Sequence, residues 1–427
     1  MNISKVLNII IEIKNKLSEK GLSVSYEQSI GETCLERWVR QLNEPLYVEM
    51  FQYIQTSQKD NLVLVRYGRY SSVFSSETEV DYGTFWDLHD NFYRECRSIV
   101  IDVKNEEVVL FPFNKFFNIG ENEETSIENV LKRIEKASIV QKSDKLDGSM
   151  QCARYYRGNI VMSGSQAIDP ENSWRLKDGL RMLTESENHI KMLKTFSDWT
   201  FIFEYISLAD SHVVNYTKGQ EGIYLIGIRN SVTGEQFTYS SVMAMKEMYD
   251  IKTTELVNKT LEEIMSELDD KQSNEAEGFV LYIDGFMVKI KYNAYNQIHR
   301  VLSNISSIGL IIKNIADNTF DDLLSKVPVA YMWRVQKVAN IVFDYIKSVD
   351  SIVKNYCSQI KNMEFKEAMI WIQNNVDRQY RGYVIEMFKG NEVNYIQSRN
   401  GHIKKLNEMG VSNEDYYKIF QKDEEID

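Results

Sequence analysis

Four cysteines in 427 residues, no two of them close together, leave no framework for disulfide stapling and no cysteine-built zinc site. Cys34, Cys96, Cys152 and Cys357 stand far apart, the usage expected of a chain kept in the reducing cytoplasm. Histidine is as scarce. Its five residues show neither an H-E-x-x-H pattern nor a cluster, which excludes a histidine-built metal centre. Long apolar runs are missing: Ile9-Ile10-Ile11 and Leu310-Ile311-Ile312 are broken by charge within a few residues, against the ~18 a membrane span needs. The opening MNISKVLNIIIEIKNK carries early charges and no small-residue cleavage site, so it reads as an amphipathic helix and not a signal peptide. Excess positive charge is absent too. With 50 basic against 62 acidic residues the net charge is −12, so any grip on a polyanion must come from a local basic patch. Screening over about 10 Å at 0.1 M salt allows such a patch to act on an acidic protein.

What is present is ample apolar material, 43% hydrophobic and 12% aromatic, enough for two domains and a small additional unit. Ile3, Leu7, Ile10, Ile13 and Leu17 recur at three- and four-residue steps before Gly21, predicting an N-terminal amphipathic helix. From about Asn61 the pattern becomes strand-like in NLVLVRYGRY, CRSIVIDV and EEVVLFPF, and it stays strand-rich to about Tyr292. Helices are expected within this region at 126–138, 174–195 and 253–267. Beyond it the texture is helical: Val335, Val338, Val342, Ile346, Val349 and Val353 mark one long helix, followed by segments at 364–388, 391–408 and 412–422. The expected class is α+β, with a helical extension at 1–40, a domain of antiparallel sheets and packed helices at 41–305, and an all-helical domain at 306–427.

The chemistry-bearing segment is Lys145-Leu146-Asp147-Gly148-Ser149. Lys-x-Asp-Gly is the form in which covalent nucleotidyltransferases present a lysine nucleophile, yet a chain of this length supplies roughly 0.1 such matches by chance. The lysine therefore needs company: its amine, ordinarily titrating near 10.4, must be depressed by neighbouring cations or desolvation before it can attack. In Phe286–Tyr292 the alternation puts Lys289 and Lys291 on one side of a strand, with Val288 and Ile290 on the other; alone this also fits a solvated edge. Glu277-Gly278-Phe279-Val280-Leu281-Tyr282-Ile283 precedes it across Asp284-Gly285, a two-residue hairpin signal. Strict pairing across that turn joins Lys291 to Gly278 and aims Glu277 away from both lysines, so either a bulge at Gly278 or a longer turn is needed to bring the carboxylate in. Glu204, in Trp199–Ile206, is either a partnered buried carboxylate or a solvated one on an edge strand.

The ordered series Lys145-Leu-Asp-Gly-Ser, the Glu204 strand, Tyr224-Leu-Ile-Gly-Ile-Arg229, Glu277-Gly-Phe-Val and Lys289-Ile-Lys291 resembles the motifs of ATP-dependent covalent nucleotidyltransferases. Within them the chain is similar to the RNA ligase 1 family, of the bacteriophage tRNA-repair type. Glu95-Cys96-Arg97, the run Lys115-Phe-Phe-Asn-Ile-Gly-Glu121, and Lys289-Ile-Lys291 followed by Tyr295 and His299 carry that likeness, which spans about 60–300. The resemblance implies a nucleotidyltransferase domain in which Lys145 takes AMP from ATP and Asp147 and Gly148 shape its loop. Glu204 would hold the ribose and Glu277 would serve Mg²⁺ or Mn²⁺. Lys289 and Lys291 would contact the α-phosphate, and Arg97 and Lys115 the outer phosphates, with Tyr295 as an active-site aromatic. AMP would pass to an RNA 5′-phosphate and be expelled by an RNA 3′-hydroxyl. A nicked tRNA is the family's type of substrate, and the helical C-terminal region is associated with its recognition. No G-x-x-x-x-G-K-[ST] occurs, so separate enzymes are expected to heal the ends. A cytoplasmic monomer is the expected form.

The sequence also departs from the family. Arg97 is followed by Ser98 where Arg-Gly is usual, and Met162-Ser-Gly-Ser-Gln166 lacks the lysine often found there, leaving Arg175 or Lys177 as replacements. The rival readings are a DNA ligase or other lysine-adenylating enzyme, and an RNA-end-binding protein with a decayed site.

Overall fold

The computed structural model describes residues 4–68, 82–210, 212–268 and 275–293, then 311–312, 314–315, 320–325, 329–391, 393 and 395. The chain divides into two compact units, Met1–Tyr295 and Asn296–Asp427.

Twelve strands of the first unit form three four-stranded sheets among the described residues. The first runs β1 (Ile54–Lys59), β2 (Leu62–Tyr67), β3 (Arg97–Asp102), β4 (Glu107–Leu110), all antiparallel neighbours. Its central strands are apolar on both faces because both faces are covered. Val63, Val65, Ile99 and Ile101 pack on the N-terminal helices α1 (Lys5–Glu19) and α2 (Cys34–Leu42). Leu64 and Val100, one residue out of phase, join the core of the second sheet. The predicted first helix thus covers a sheet, with Val6, Leu7, Ile10, Ile13 and Leu17 buried. Its N-terminus is held by Glu95, which accepts from Lys5 N (3.2 Å) and Val6 N (3.0 Å).

The second sheet is ordered β10 (Gly222–Asn230), β9 (Trp199–Ile206), β7 (Ser149–Tyr156), β8 (Asn159–Gly164), and the third β5 (Phe117–Asn118), β12 (Phe286–Lys291), β11 (Gly278–Ile283), β6 (Val140–Lys145). All pairs are antiparallel except β5 with β12, which is parallel. Helices Trp174–Thr184, Glu187–Thr195 and Tyr239–Tyr249 pack on the second sheet, contributing Leu176, Leu183, Met192, Leu193, Val242 and Met245 to its core.

Two helix expectations change. The span 174–195 is two helices, because Ser186 caps a new one through its hydroxyl on His189 N. The span 253–267 is helical only at Leu261–Ser266. Before it the chain runs extended and ties the two central sheets together: Leu225 N donates to Lys252 O (2.8 Å), Thr254 N to Leu225 O (3.0 Å), and Val257 N to Lys142 O (2.8 Å). The β-branched Thr253, Thr254 and Val257 suit that extended path.

In the second unit the long helix is present as Val329–Ile360, followed by Phe365–Asn375 and Arg381–Phe388, so 364–388 is also two helices. Val349, Val353, Ile360, Ala368, Ile372 and Val384 form their shared core. The segments expected at 391–408 and 412–422 lie, but for Asn391, Val393 and Tyr395, outside the described residues. The whole is a mixed helix-and-sheet chain with antiparallel sheets and a helical C-terminal region.

Candidate active site

The Asp284-Gly285 turn sets the hairpin as the sequence predicts, pairing Gly278 with Lys291 and Val280 with Lys289 without a register slip. On the other side of β11, Gly278 pairs with Lys145 and Val280 with Ser143. One face of the third sheet therefore presents the row Lys145, Gly278, Lys291 and, behind it, Ser143, Val280, Lys289. Neither a bulge nor a longer turn brings Glu277 in. Gly278 does so with a φ of +148°, where its bare backbone lies against β12. The Glu277 carboxylate then reaches both flanking lysines, Oε2 at 2.6 Å from Lys145 Nζ and Oε1 at 2.8 Å from Lys291 Nζ.

The facing wall comes from the second sheet, where Met150, Glu204 and Tyr224 are cross-strand neighbours. Glu204 is no solvated edge residue: β9 is an inner strand, and Glu204 Oε1 accepts from Gly148 N at 3.1 Å. Gly148 is required by that approach, since a Cβ there would lie 2.4 Å from Tyr205 O. A register shift between Leu225 and Gly227 releases Ile226 toward the same space. Between the walls lies a cavity of about 240 Å³, lined by apolar Phe113, Phe116, Met150, Ile226, Val280 and Met287 and by charged Arg97, Lys145, Glu204, Lys289 and Lys291. Phe116 carries two of these cations, Lys289 Nζ 4.5 Å and Arg97 Cζ 5.0 Å from its ring centre.

The parallel pairing of β5 with β12, Asn118 opposite Lys289, draws the Lys115-Phe-Phe-Asn run to the lysine strand. Lys115 does not line the cavity; its Nζ lies 5.0 Å from the Trp86 and Phe117 rings and 4.0 Å from Glu121. Arg97 does, with Nη1 donating to Asn114 O (3.4 Å). The Ser98 departure is explained by its φ of +68°, a conformation glycine enters freely. Here a hydroxyl bond to Ser165 O (2.7 Å) holds the serine in it. The replacement cations do not reach the cavity: Arg175 pairs with Asp210 (2.7 Å) and Lys177 with Glu171 (3.1 Å). Tyr295 and His299 lie outside the described residues.

Electrostatics reverse one expectation. Lys145 is not depressed: burial pushes its amine down, but the charges of Glu277 and Glu204 outweigh this and raise it. The depressed amine is Lys289, held well below the usual range by burial and then by Arg97, Lys115, Lys145 and Lys291. Lys115 is lowered by burial, with Glu121 opposing. Burial pushes Glu204 up to about 7 against the pull of Lys145, whereas Glu277 is held low because Lys145 and Lys291 override its burial.

Sequence reasoning missed the support of the lysine turn. Asp147 N donates to Tyr216 Oη (2.9 Å), and Asp147 Oδ2 accepts from Val213 N (2.8 Å) and Val214 N (2.9 Å). The segment Ser207–Tyr216 has no periodicity that could have announced it.

Residues 95–295 match the profile of a family described as RNA ligase. Over that span the chain is similar to RNA ligases. Every site residue from Arg97 to Lys291 lies inside the matched span, while the N-terminal helices and the helical C-terminal region lie outside it. A Thermovibrio ammonificans protein named "Putative RNA ligase" is 23% identical over 305 residues, covering 67% of this chain and 76% of that one. Structures of Naegleria gruberi RNA ligase align with a TM-score of 0.33: a mutant with ATP and Mn at 18% identity, and the enzyme with pyrophosphate at 19%. Each alignment covers 40% of this chain and 55% of the Naegleria chain, so the likeness spans little more than half of that ligase.

Proposed function

We propose that this protein is an ATP-dependent RNA ligase joining 5′-phosphate to 3′-hydroxyl ends, with Lys145 as the residue that carries AMP. The observation that carries the reading is the Glu277 bridge between Lys145 and Lys291, two lysines that line a cavity together with Lys289 and Arg97. The aromatic and aliphatic lining suits a nucleobase, and the cations suit a polyphosphate.

Lys145 Nζ would attack the α-phosphorus, forming a P–N bond as the bond to the bridging oxygen breaks and pyrophosphate leaves with that electron pair. The ammonium must first pass a proton to solvent water, and the Glu277 contact is what holds it cationic. Once that contact is given up, the largest pull toward the charged form is gone and burial pushes the amine toward its neutral form. Lys289 and Lys291 would take the charge developing on the α-phosphate, and Arg97 and Lys115 would orient the outer phosphates. Glu204 would accept from the ribose hydroxyls. AMP then passes to the RNA 5′-phosphate oxygen, regenerating Lys145, and attack by the 3′-hydroxyl seals the strand and expels AMP.

The donor set fits the Mg²⁺ or Mn²⁺ that accompanies ATP. No cluster of three or more acidic, histidine or cysteine ligands exists among the described residues. A buried carboxylate paired with two cavity-lining lysines, Glu277, suits a cation that keeps its waters and takes phosphate oxygens. Such an ion neutralises phosphate charge. The finer reading is RNA repair on ends prepared by separate healing enzymes, with nicked tRNA as a candidate and residues 306–427 contributing RNA recognition. Incubation with ATP and a panel of 5′-phosphorylated RNAs and nicked DNA tests it. Sealing of RNA at least tenfold over nicked duplex DNA is expected; preference for the DNA nick defeats the RNA assignment.

A further inference from the structure

Around the lysine turn, and outside the cavity lining, stands a linked group of side chains that the reaction above does not use. The Asp210 carboxylate, 2% exposed, accepts from Ser149 Oγ (2.6 Å) through Oδ2 and pairs with Arg175 Nη2 (2.7 Å) through Oδ1. His212 lies between Asp210 and Asp147, with Nε2 3.0 Å from Asp210 Oδ2 and Nδ1 3.6 Å from Asp147 Oδ1. Asp147 and Ser149 flank Gly148, whose N–H is fixed on Glu204. The two carboxylates therefore grip the nucleophile turn on either side of its glycine, and the imidazole is the group that lies between them.

We propose that His212 is a positioning residue for Lys145: its ring ties Asp147 to Asp210 and so fixes the turn from which the lysine reaches the α-phosphorus. At ion-pair distance from one carboxylate through each ring nitrogen, a doubly protonated imidazole would balance both. Burial disfavours that charge, but Asp210 first and then Asp147 and Glu204 outweigh it and raise the imidazole above its ordinary value. Reciprocally, His212 and Arg175 overcome the burial of Asp210 and hold it at about 2. Arg175 anchors the group to the helix Trp174–Thr184, so the turn is referenced to a packed element. In-line attack is sensitive to small displacements, a shift of about 1 Å costing on the order of 100-fold.

The inference rests on Lys145 being the adenylated residue, and the test separates the two claims. Full-length wild type and the variants His212→Ala, His212→Arg, Asp210→Asn and Lys145→Ala are compared in two assays: labelling from α-labelled ATP across ATP concentrations, and sealing of chemically pre-adenylated RNA, which needs no lysine nucleophile. His212→Ala and Asp210→Asn should lower the saturated labelling rate by about 10- to 100-fold. The KM for ATP and the sealing of pre-adenylated RNA should stay within about threefold, a split that general unfolding does not give. His212→Arg, which keeps donors toward both carboxylates, should recover most of the rate. Unchanged labelling in both variants overturns the proposal, as do equal losses in both assays or a His212→Arg variant as slow as His212→Ala. Labelling of Lys145→Ala at the wild-type level would instead defeat the reading of Lys145 itself.

Discussion

At Gly278 the backbone holds a φ of +148°, and an added Cβ would lie 2.1 Å from Ile290 O, a backbone atom that cannot step aside without moving β12. Gly278→Ala should therefore destabilise the first unit by roughly 1–3 kcal/mol from backbone strain alone, seen as a lowered urea midpoint. It should also turn Glu277 out of reach of Lys145. An alanine variant of wild-type stability would mean that this conformation is not held. Glu204 offers a second test at this scale. A carboxyl raised to about 7 from an ordinary 4.5 binds its proton more tightly in the folded protein. The resulting stabilisation is complete below 4.5 and is lost as pH rises through about 7. Glu204→Gln, neutral throughout, should raise Tm above wild type near pH ~8.5, with the gain closing toward acid. A gain independent of pH contradicts the assigned burial of that charge.

Among the elements, the β11–β12 hairpin was legible because Asp284-Gly285 fixes the turn and strand alternation fixes the lysine face. The side on which Glu277 falls was not, because a φ at one glycine overrides alternation without altering register. The stretch 253–257 reads as helix in a local window yet bridges two sheets, a role set by partners more than 25 residues away along the chain, Leu225 on one side and Lys142 on the other. His212, Asp210 and Tyr216 were likewise invisible: they sit in aperiodic sequence and act through bonds to the lysine turn. The raised amine of Lys145 was missed because proximity to Lys289 and Lys291 was counted while the closer Glu277 was thought to face away. Helix α1 makes a separate prediction. Its first turn ends on the Glu95 carboxylate, so Glu95→Ala strands Lys5 N and Val6 N and should cost about 2–3 kcal/mol in urea denaturation. A loss under half of that would show that the Ser4 hydroxyl, which caps Leu7 N at 3.1 Å, holds the turn without Glu95.

For the molecule as a whole, the described site residues all belong to the unit Met1–Tyr295, and the helical unit Asn296–Asp427 has an apolar core of its own. A fragment ending after Tyr295 should still become labelled from α-labelled ATP while sealing RNA at least tenfold more slowly than the full chain, as domains with separate cores allow. Loss of both activities together would place part of the lysine chemistry in the second unit. The net charge of −12 is compatible with this arrangement: Arg97, Lys145, Lys289 and Lys291 line one cavity, where burial and neighbouring charges, not bulk charge, set their behaviour. The most direct test of the account is peptide mapping of the full-length protein after incubation with ATP and Mg²⁺ in the absence of RNA. AMP is expected as a phosphoramidate on Lys145, labile to acid and stable to alkali, and absent from Lys145→Ala. AMP on any other residue, or undiminished labelling of Lys145→Ala, would contradict it.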